Sequence, residues 1–218
     1  MPPQKIQTYQ SLIEPNDGSV LFIDFQEAML ARLPSTEQLK IRTNISLLAK
    51  NVSEIGLPMF FFRYSLPDKA GALIEELKTV AESAVVFTRD QQDIWQDSAF
   101  SDQSRKSGRK TLIVAALLTD LFVVSPSILA ASRGYRTYTV IDASACWRRD
   151  ALMITSLRLL QAGVTPINIA SVIAELHFGK GGSASEEIEY IFGVRDAMYG
   201  MSGNITAALC AKPLFPTG

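Results

Sequence analysis

What this chain lacks narrows its chemistry before any motif is read. It holds a single histidine, His177, which argues against a multi-histidine zinc or iron site. Its two cysteines, Cys146 and Cys210, are too few for a disulfide framework, and their wide spacing matches no metal motif. No charge of one sign dominates, since 21 basic residues face 22 acidic ones and no block of like charge stands out. The electrostatic footprint of a nucleic-acid or acidic-membrane binder is therefore missing. No apolar run approaches the roughly 18 residues that suggest a membrane span. The N-terminus, Met1-Pro-Pro-Gln-Lys-Ile-Gln-Thr-Tyr9, lacks the basic-then-apolar layout of a secretory signal. The expectation is a soluble, cytoplasmic protein with no nucleic-acid or membrane partner, no metal and no cofactor.

What is present suits one α/β domain: 218 residues, 47% of them hydrophobic, are enough for a sizeable core. Short β-rich runs alternate with longer helical periods. Strands are predicted at Val20–Phe25, Met59–Tyr64, Ala84–Thr88, Thr111–Leu117, Thr137–Ile141 and Thr165–Ile169. Helices are predicted at roughly Thr36–Ile55, Gly71–Glu82, Ser98–Ser107, Asp120–Arg133, Arg149–Ala162 and Ala170–Phe178. This alternation predicts a parallel sheet with helices on both faces, a three-layer αβα arrangement. The strands read as continuous apolar runs, as burial on both sides requires. No internal repeat is visible.

After Phe178 the composition changes to Gly179-Lys-Gly-Gly-Ser-Ala-Ser185, a flexible joint. The chain thus divides into an α/β domain over 1–182 and an appendage over 183–218, with an amphipathic helix at Glu186–Gly200. Such an appendage either packs on a neighbouring subunit or caps its own domain. The Gly179–Ser183 stretch looks superficially like a P-loop, but it lacks the full spacing and does not follow the first strand.

A nucleotide-binding version of this fold would carry a glycine-rich turn directly after the first strand. Here Asp24-Phe-Gln-Glu-Ala-Met-Leu30 follows, with no glycine and several bulky side chains. A carboxylate ending a buried first strand lies at the carboxyl edge of the sheet, where doubly wound folds place ligands. Asp24 is therefore a candidate site residue, the alternative being a local turn or helix cap. If strands one and four are neighbours, it faces Thr119-Asp120-Leu121-Phe122.

Two segments carry a family resemblance. The first is Val20-Leu-Phe-Ile-Asp24-Phe-Gln26. The second is Leu112–Phe122, continuing through Pro126 to Gly134-Tyr135 and then Thr139-Val-Ile-Asp142-Ala-Ser144. With Ile173-Ala-Glu175-Leu-His177, the run from about Ser19 to Phe178 resembles the isochorismatase-like cysteine hydrolases, and most closely their small stand-alone bacterial members. The resemblance implies a six-stranded, Rossmann-like parallel sheet and assembly into homo-oligomers. It also implies an Asp, a cation and a cysteine nucleophile that attacks a carbonyl or nitrile carbon. A cysteine at a helix N-terminus has its pKa lowered, and neighbouring N–H groups can hold a developing oxyanion.

Carried over residue by residue, the Asp is Asp24 and the candidate cation is Arg89, whose alternative role is an ion pair with Asp90 or Asp93. The nucleophile's place is taken by Phe122. Gln26, Trp95, Leu118 and Thr119 are candidate pocket residues, and a non-proline cis peptide is implied at Leu117–Leu118. Phe122 cannot attack a carbon or accept a proton. Cys146 is a substitute nucleophile or an inert thiol, and His177 a core or interface histidine.

Three functions follow. One is a homologue without thiol-dependent chemistry that keeps a small-molecule pocket. Another is a cysteine-independent hydrolase of vinyl ethers with Asp24 as general acid. The third is an oligomeric scaffold.

Overall fold

A computed structural model describes residues 12–66, 71–146, 149–178 and Gly193. Six strands, β1 (Gly18–Ile23), β2 (Met59–Tyr64), β3 (Val85–Arg89), β4 (Thr111–Ala116), β5 (Arg136–Val140) and β6 (Thr165–Ile167), form one parallel sheet. Their order is β3-β2-β1-β4-β5-β6, so the winding reverses between β1 and β4. That reversal leaves a crevice at the carboxyl ends of these two strands. In register, Ile23 at the end of β1 stands beside Phe62 of β2 and Ala116 of β4.

The central strands are buried on both faces because alternate residues enter two separate cores. Val20, Phe22, Phe61, Ile113, Ala115 and Val140 pack beneath helices α2 (Ser35–Ile55), α3 (Glu75–Glu82) and α7 (Ile169–Phe178). Leu21, Ile23, Phe62, Phe87, Val114 and Ala116 pack beneath α4 (Ser98–Lys106), α5 (Val124–Ser132) and α6 (Arg149–Gln161). A short helix, α1 (Glu27–Leu30), follows β1 directly. The predicted three-layer parallel architecture is the one found. Of the predicted appendage at 183–218, all but Gly193 lies outside the described residues.

Three local differences have physical causes. The helix predicted at Gly71–Glu82 begins at Glu75 and not Gly71. At Gly71 an added Cβ would lie 2.7 Å from the Leu66 carbonyl oxygen, and Leu73 forms an antiparallel bridge with Gln26. The helix predicted from Asp120 opens instead with a wide π turn over Thr119–Val123 before α5. Pro126 has no N–H to offer the Phe122 carbonyl, and its ring crowds that oxygen. The cis peptide expected at Leu117–Leu118 is absent, every peptide bond among the described residues being trans. Leu118 is extended, with φ −118° and ψ 104°, and bridges in parallel to Ala145. That bridge is made by the Ala145 N–H donating to the Leu117 carbonyl at 3.0 Å and the Thr119 N–H donating to the Ala145 carbonyl at 2.7 Å, which the trans chain on either side of Leu118 allows.

Candidate functional site

Asp24 leaves β1 with φ at 60°, making it the one residue other than glycine with positive φ among those described. Aspartate tolerates this left-handed conformation better than most side chains. Its N–H donates to the Phe62 carbonyl at 2.9 Å, and its own carbonyl accepts from the Gln26 N–H at 2.7 Å. The side chain is fully buried at the carboxyl edge.

Arg89, the last residue of β3, meets it there. Its Nε donates to Asp24 Oδ1 at 3.2 Å and its Nη2 to Oδ2, a two-pronged ion pair. The remaining nitrogen, Nη1, donates to the Gln91 carbonyl at 2.6 Å and to that of Gln92 at 3.1 Å. The guanidinium carbon lies 3.8 Å from the centre of the Tyr64 ring and 5.3 Å from that of Phe122. The two rings meet edge to face, with centres 5.6 Å apart. Arg89 is thus held on one side by a carboxylate and by carbonyls, and on its faces by aromatic rings, which favour a cation. The expected pairing of Arg89 with Asp90 or Asp93 gives way to Asp24. Burial pushes the Asp24 carboxyl above its ordinary value, while the guanidinium on both oxygens pulls it back down.

Gln26 is fully buried beside this pair, but its side-chain amide is engaged elsewhere. Its Nε2 donates to the Tyr64 carbonyl at 3.1 Å, and its Oε1 accepts from the Tyr64 N–H at 2.8 Å. The amide imitates a strand partner and fixes the end of β2, and with it the Tyr64 ring.

Phe122 sits half-buried in the π turn, its N–H donating to the Leu118 carbonyl at 2.8 Å. Thr119 is buried, and both its N–H and its hydroxyl donate to the Ala145 carbonyl, at 2.7 and 2.8 Å. Leu118 is buried in the core beneath them. The half-buried Cys146 directly follows Ala145, at this same edge. Trp95 lies apart from Asp24: its indole N–H donates to the Pro126 carbonyl at 3.0 Å and its ring packs on Phe100 and Tyr135. His177 is half-buried in the last turn of α7, and Cys210 lies outside the described residues.

Tyr64 packs on this candidate site, and the sequence pattern does not single it out. Its place as the last residue of a strand neighbouring β1 is the signal that could have found it. A pocket of about 290 Å³ opens beside it, lined by Arg63, Tyr64, Ser65, Leu66, Gly71, Ala72 and Thr88. Among the described residues no cluster of His, Cys, Asp and Glu could hold a metal, and no helix is long and apolar enough to cross a membrane.

This geometry defines a class: a doubly wound α/β protein with a buried Asp–Arg pair at its switch point. Residues 19–171 match the model of the isochorismatase domain, and the chain belongs to that family. It is 26% identical over 166 residues to the probable hydrolase YcaC of Escherichia coli K12, an alignment covering 76% of this chain and 80% of that one. The structure of YcaC from Pseudomonas aeruginosa, with hexane-2,5-diol and covalent acrylamide, superimposes with a TM-score of 0.79 at 26% identity, covering 92% of this chain and 98% of the other. That of Escherichia coli YcaC, an octameric hydrolase of unknown specificity, gives 0.80 at 23% identity over 93% and 98%.

Proposed function

We propose that this chain is a cytoplasmic isochorismatase-family protein without thiol-dependent hydrolase chemistry, Phe122 standing where the family's cysteine is expected. It keeps a small-molecule pocket at the carboxyl edge of the sheet. The observation that carries this reading is what surrounds Asp24: a guanidinium on both oxygens, and a phenyl ring packed against that guanidinium. The ring has no proton to give and no lone pair to attack with, so Asp24 has no nucleophile to activate. The pocket beside Tyr64 supports retained binding. The test is turnover of nicotinamide, small amides, N-carbamoyl compounds and nitriles by the purified protein. None is expected. Hydrolysis that Asp24→Ala abolishes would overturn the reading, and hydrolysis that Cys146→Ser abolishes would transfer the chemistry to that thiol.

One observation favours a second reading, a vinyl-ether hydrolase with Asp24 as general acid. Burial raises the Asp24 carboxyl, as a proton donor near neutral pH requires. The Arg89 fork opposes it by holding the carboxylate form. Turnover of isochorismate, lost in Asp24→Asn, would decide for this alternative.

Assembly into a homo-oligomer belongs to the same proposal. Helix α6 presents Met153, Ile154, Leu157 and Leu160, each more than half exposed, along one stretch of surface. An apolar stripe of this kind is suited to a second copy of the chain, and the octameric Escherichia coli YcaC supports that occupant. Light scattering on the full chain is expected to give a multiple of 23.9 kDa, reduced in Ile154→Glu/Leu157→Glu. An unchanged mass in that variant would remove α6 from the interface, and truncation after Gly182 tests the appendage in the same way.

A further inference from the structure

A pocket of about 320 Å³ lies far from the Asp24 crevice, at the amino ends of β4 and β5. Its lining includes Arg105 from α4, Arg109 and Lys110 from the turn into β4, and Arg133 from the end of α5, with Trp95 and Tyr135 as an aromatic wall. Four cations surround one concavity, and no carboxylate lines it. Among the described residues only Arg105 has an acidic partner, Asp102 on its own helix; Arg109, Lys110 and Arg133 have none within 4.0 Å. In a chain whose net charge is −1, this is a local excess of one sign.

Part of the excess has an ordinary structural reason. The carboxyl ends of α4 and α5 attract cations such as Arg105 and Arg133. Arg109 donates from Nη1 to the carbonyls of Pro15 and Gly18, both at 2.7 Å. The Lys110 side chain is not engaged in this way. Its backbone N–H donates to Asp17 and its carbonyl accepts from the Arg136 N–H, but its ammonium is left over. Arg133 donates to the Leu129 carbonyl at 3.0 Å and lies 4.9 Å from the Trp95 ring centre. The Ser104 and Tyr135 hydroxyls are joined at 2.9 Å. Guanidinium groups fixed by neutral carbonyls keep their full charge and have little side-chain entropy left to lose on binding an anion.

We infer that this pocket is a second binding site, independent of the Asp24 crevice, for a small phosphorylated or polyphosphate molecule. Fixed arginines match phosphate oxygens in pairs, Lys110 adds a mobile point charge, and the Ser101 and Ser104 hydroxyls supply neutral donors. The volume admits a small organic phosphate and not a nucleic-acid strand.

Trp95 makes the site observable. It stacks against Arg133, and the chain's other tryptophan, Trp147, can be replaced. In a Trp147→Phe background, pyrophosphate added at constant ionic strength is expected to change Trp95 emission saturably. The same titration by calorimetry is expected to give one site. Lys110→Gln, which removes no internal contact, is expected to weaken binding about tenfold, as loss of one charge-assisted contact would. Lys110→Gln/Arg133→Gln should abolish it, with a melting curve confirming the fold. A linear response matched by potassium chloride, or saturation of equal affinity in both variants, overturns the inference. Asp24→Asn is expected to leave pyrophosphate binding unchanged, which separates this site from the crevice.

Discussion

Arg89 is the residue on which the crevice depends. Removing one member of a buried ion pair leaves the other charge without compensation, so Arg89→Met is expected to cost about 3–5 kcal/mol. The pH dependence of that loss has a definite sign. A carboxyl whose value is raised in the folded state binds its proton more tightly there than in the unfolded chain, where it titrates near 3.8. Stability therefore falls as pH rises through the window above 3.8. Without Arg89 the upward shift from burial is unopposed and the window widens toward neutral pH. The difference between wild type and Arg89→Met is thus expected to be large at pH 7 and to shrink on acidification, measured by urea unfolding across pH. A constant difference would mean that Asp24 is not ionised in the native protein. Phe122→Cys probes the other half of the site. A thiol near the Arg89 cation is expected to have a lowered pKa and to react with iodoacetamide about tenfold faster than Cys146, read by peptide mass. As candidates, Asp24 and Phe122 are legible in the sequence because both lie within contiguous motifs. Tyr64 is not, because stacking on Arg89 depends on which strands are neighbours, and no local pattern encodes that.

At the scale of elements, β2 is read from the sequence residue for residue because Met59–Tyr64 is a dense run of aromatic and apolar side chains between turn signals. The start of α5 is not. Its apolar spacing suits a helix from Asp120, and the missing donor at Pro126 changes the hydrogen-bonding of the turn without changing that spacing. The consequence is local but lands on the site, since the widened turn carries Phe122. The end of β2 is equally decided by one side chain. Gln26 takes the place of a backbone partner for Tyr64, giving it an acceptor and a donor. Gln26→Leu keeps roughly the volume and leaves the Tyr64 N–H and carbonyl without these bonds. The expected cost is about 2–3 kcal/mol. Because the Tyr64 ring is released with its backbone, Phe122 and Arg89 lose a packing partner as well. Thermal unfolding checks the first effect. Unchanged stability would mean that water or another strand end substitutes for the amide.

At the scale of the whole molecule, among the described residues a polar hub stands at each edge of the sheet. Asp24 and Arg89 hold the carboxyl edge, where the crevice lies. At the amino edge Asp17, just before β1, ties together the starts of β4 and β5. It accepts from the Lys110 N–H at 2.9 Å, the Thr111 hydroxyl at 2.8 Å and Arg136 Nη2 at 2.6 Å. Partial burial by itself would raise the Asp17 carboxyl, but these donors together, Arg136 foremost, hold it below its ordinary value. This shift is opposite in sign to that of Asp24. A carboxyl depressed in the folded state contributes stability above its unfolded value of 3.8 and loses it as pH falls through the folded value. Solvent reaches both partners and keeps the contribution small, about 1 kcal/mol. Asp17→Asn is therefore expected to lower the melting temperature by about 2–4 °C at pH 7 in a chain of this size. The difference from wild type should vanish in acid. The two edges then respond oppositely: acid weakens the wild type at its amino edge and relieves Arg89→Met at its carboxyl edge. Melting curves of the two variants against pH, normalised to wild type, should both converge on it at low pH and diverge from it as the pH rises. A gap for Asp17→Asn that persists below the folded value would show that the carboxylate charge is not what joins β1 to β4 and β5.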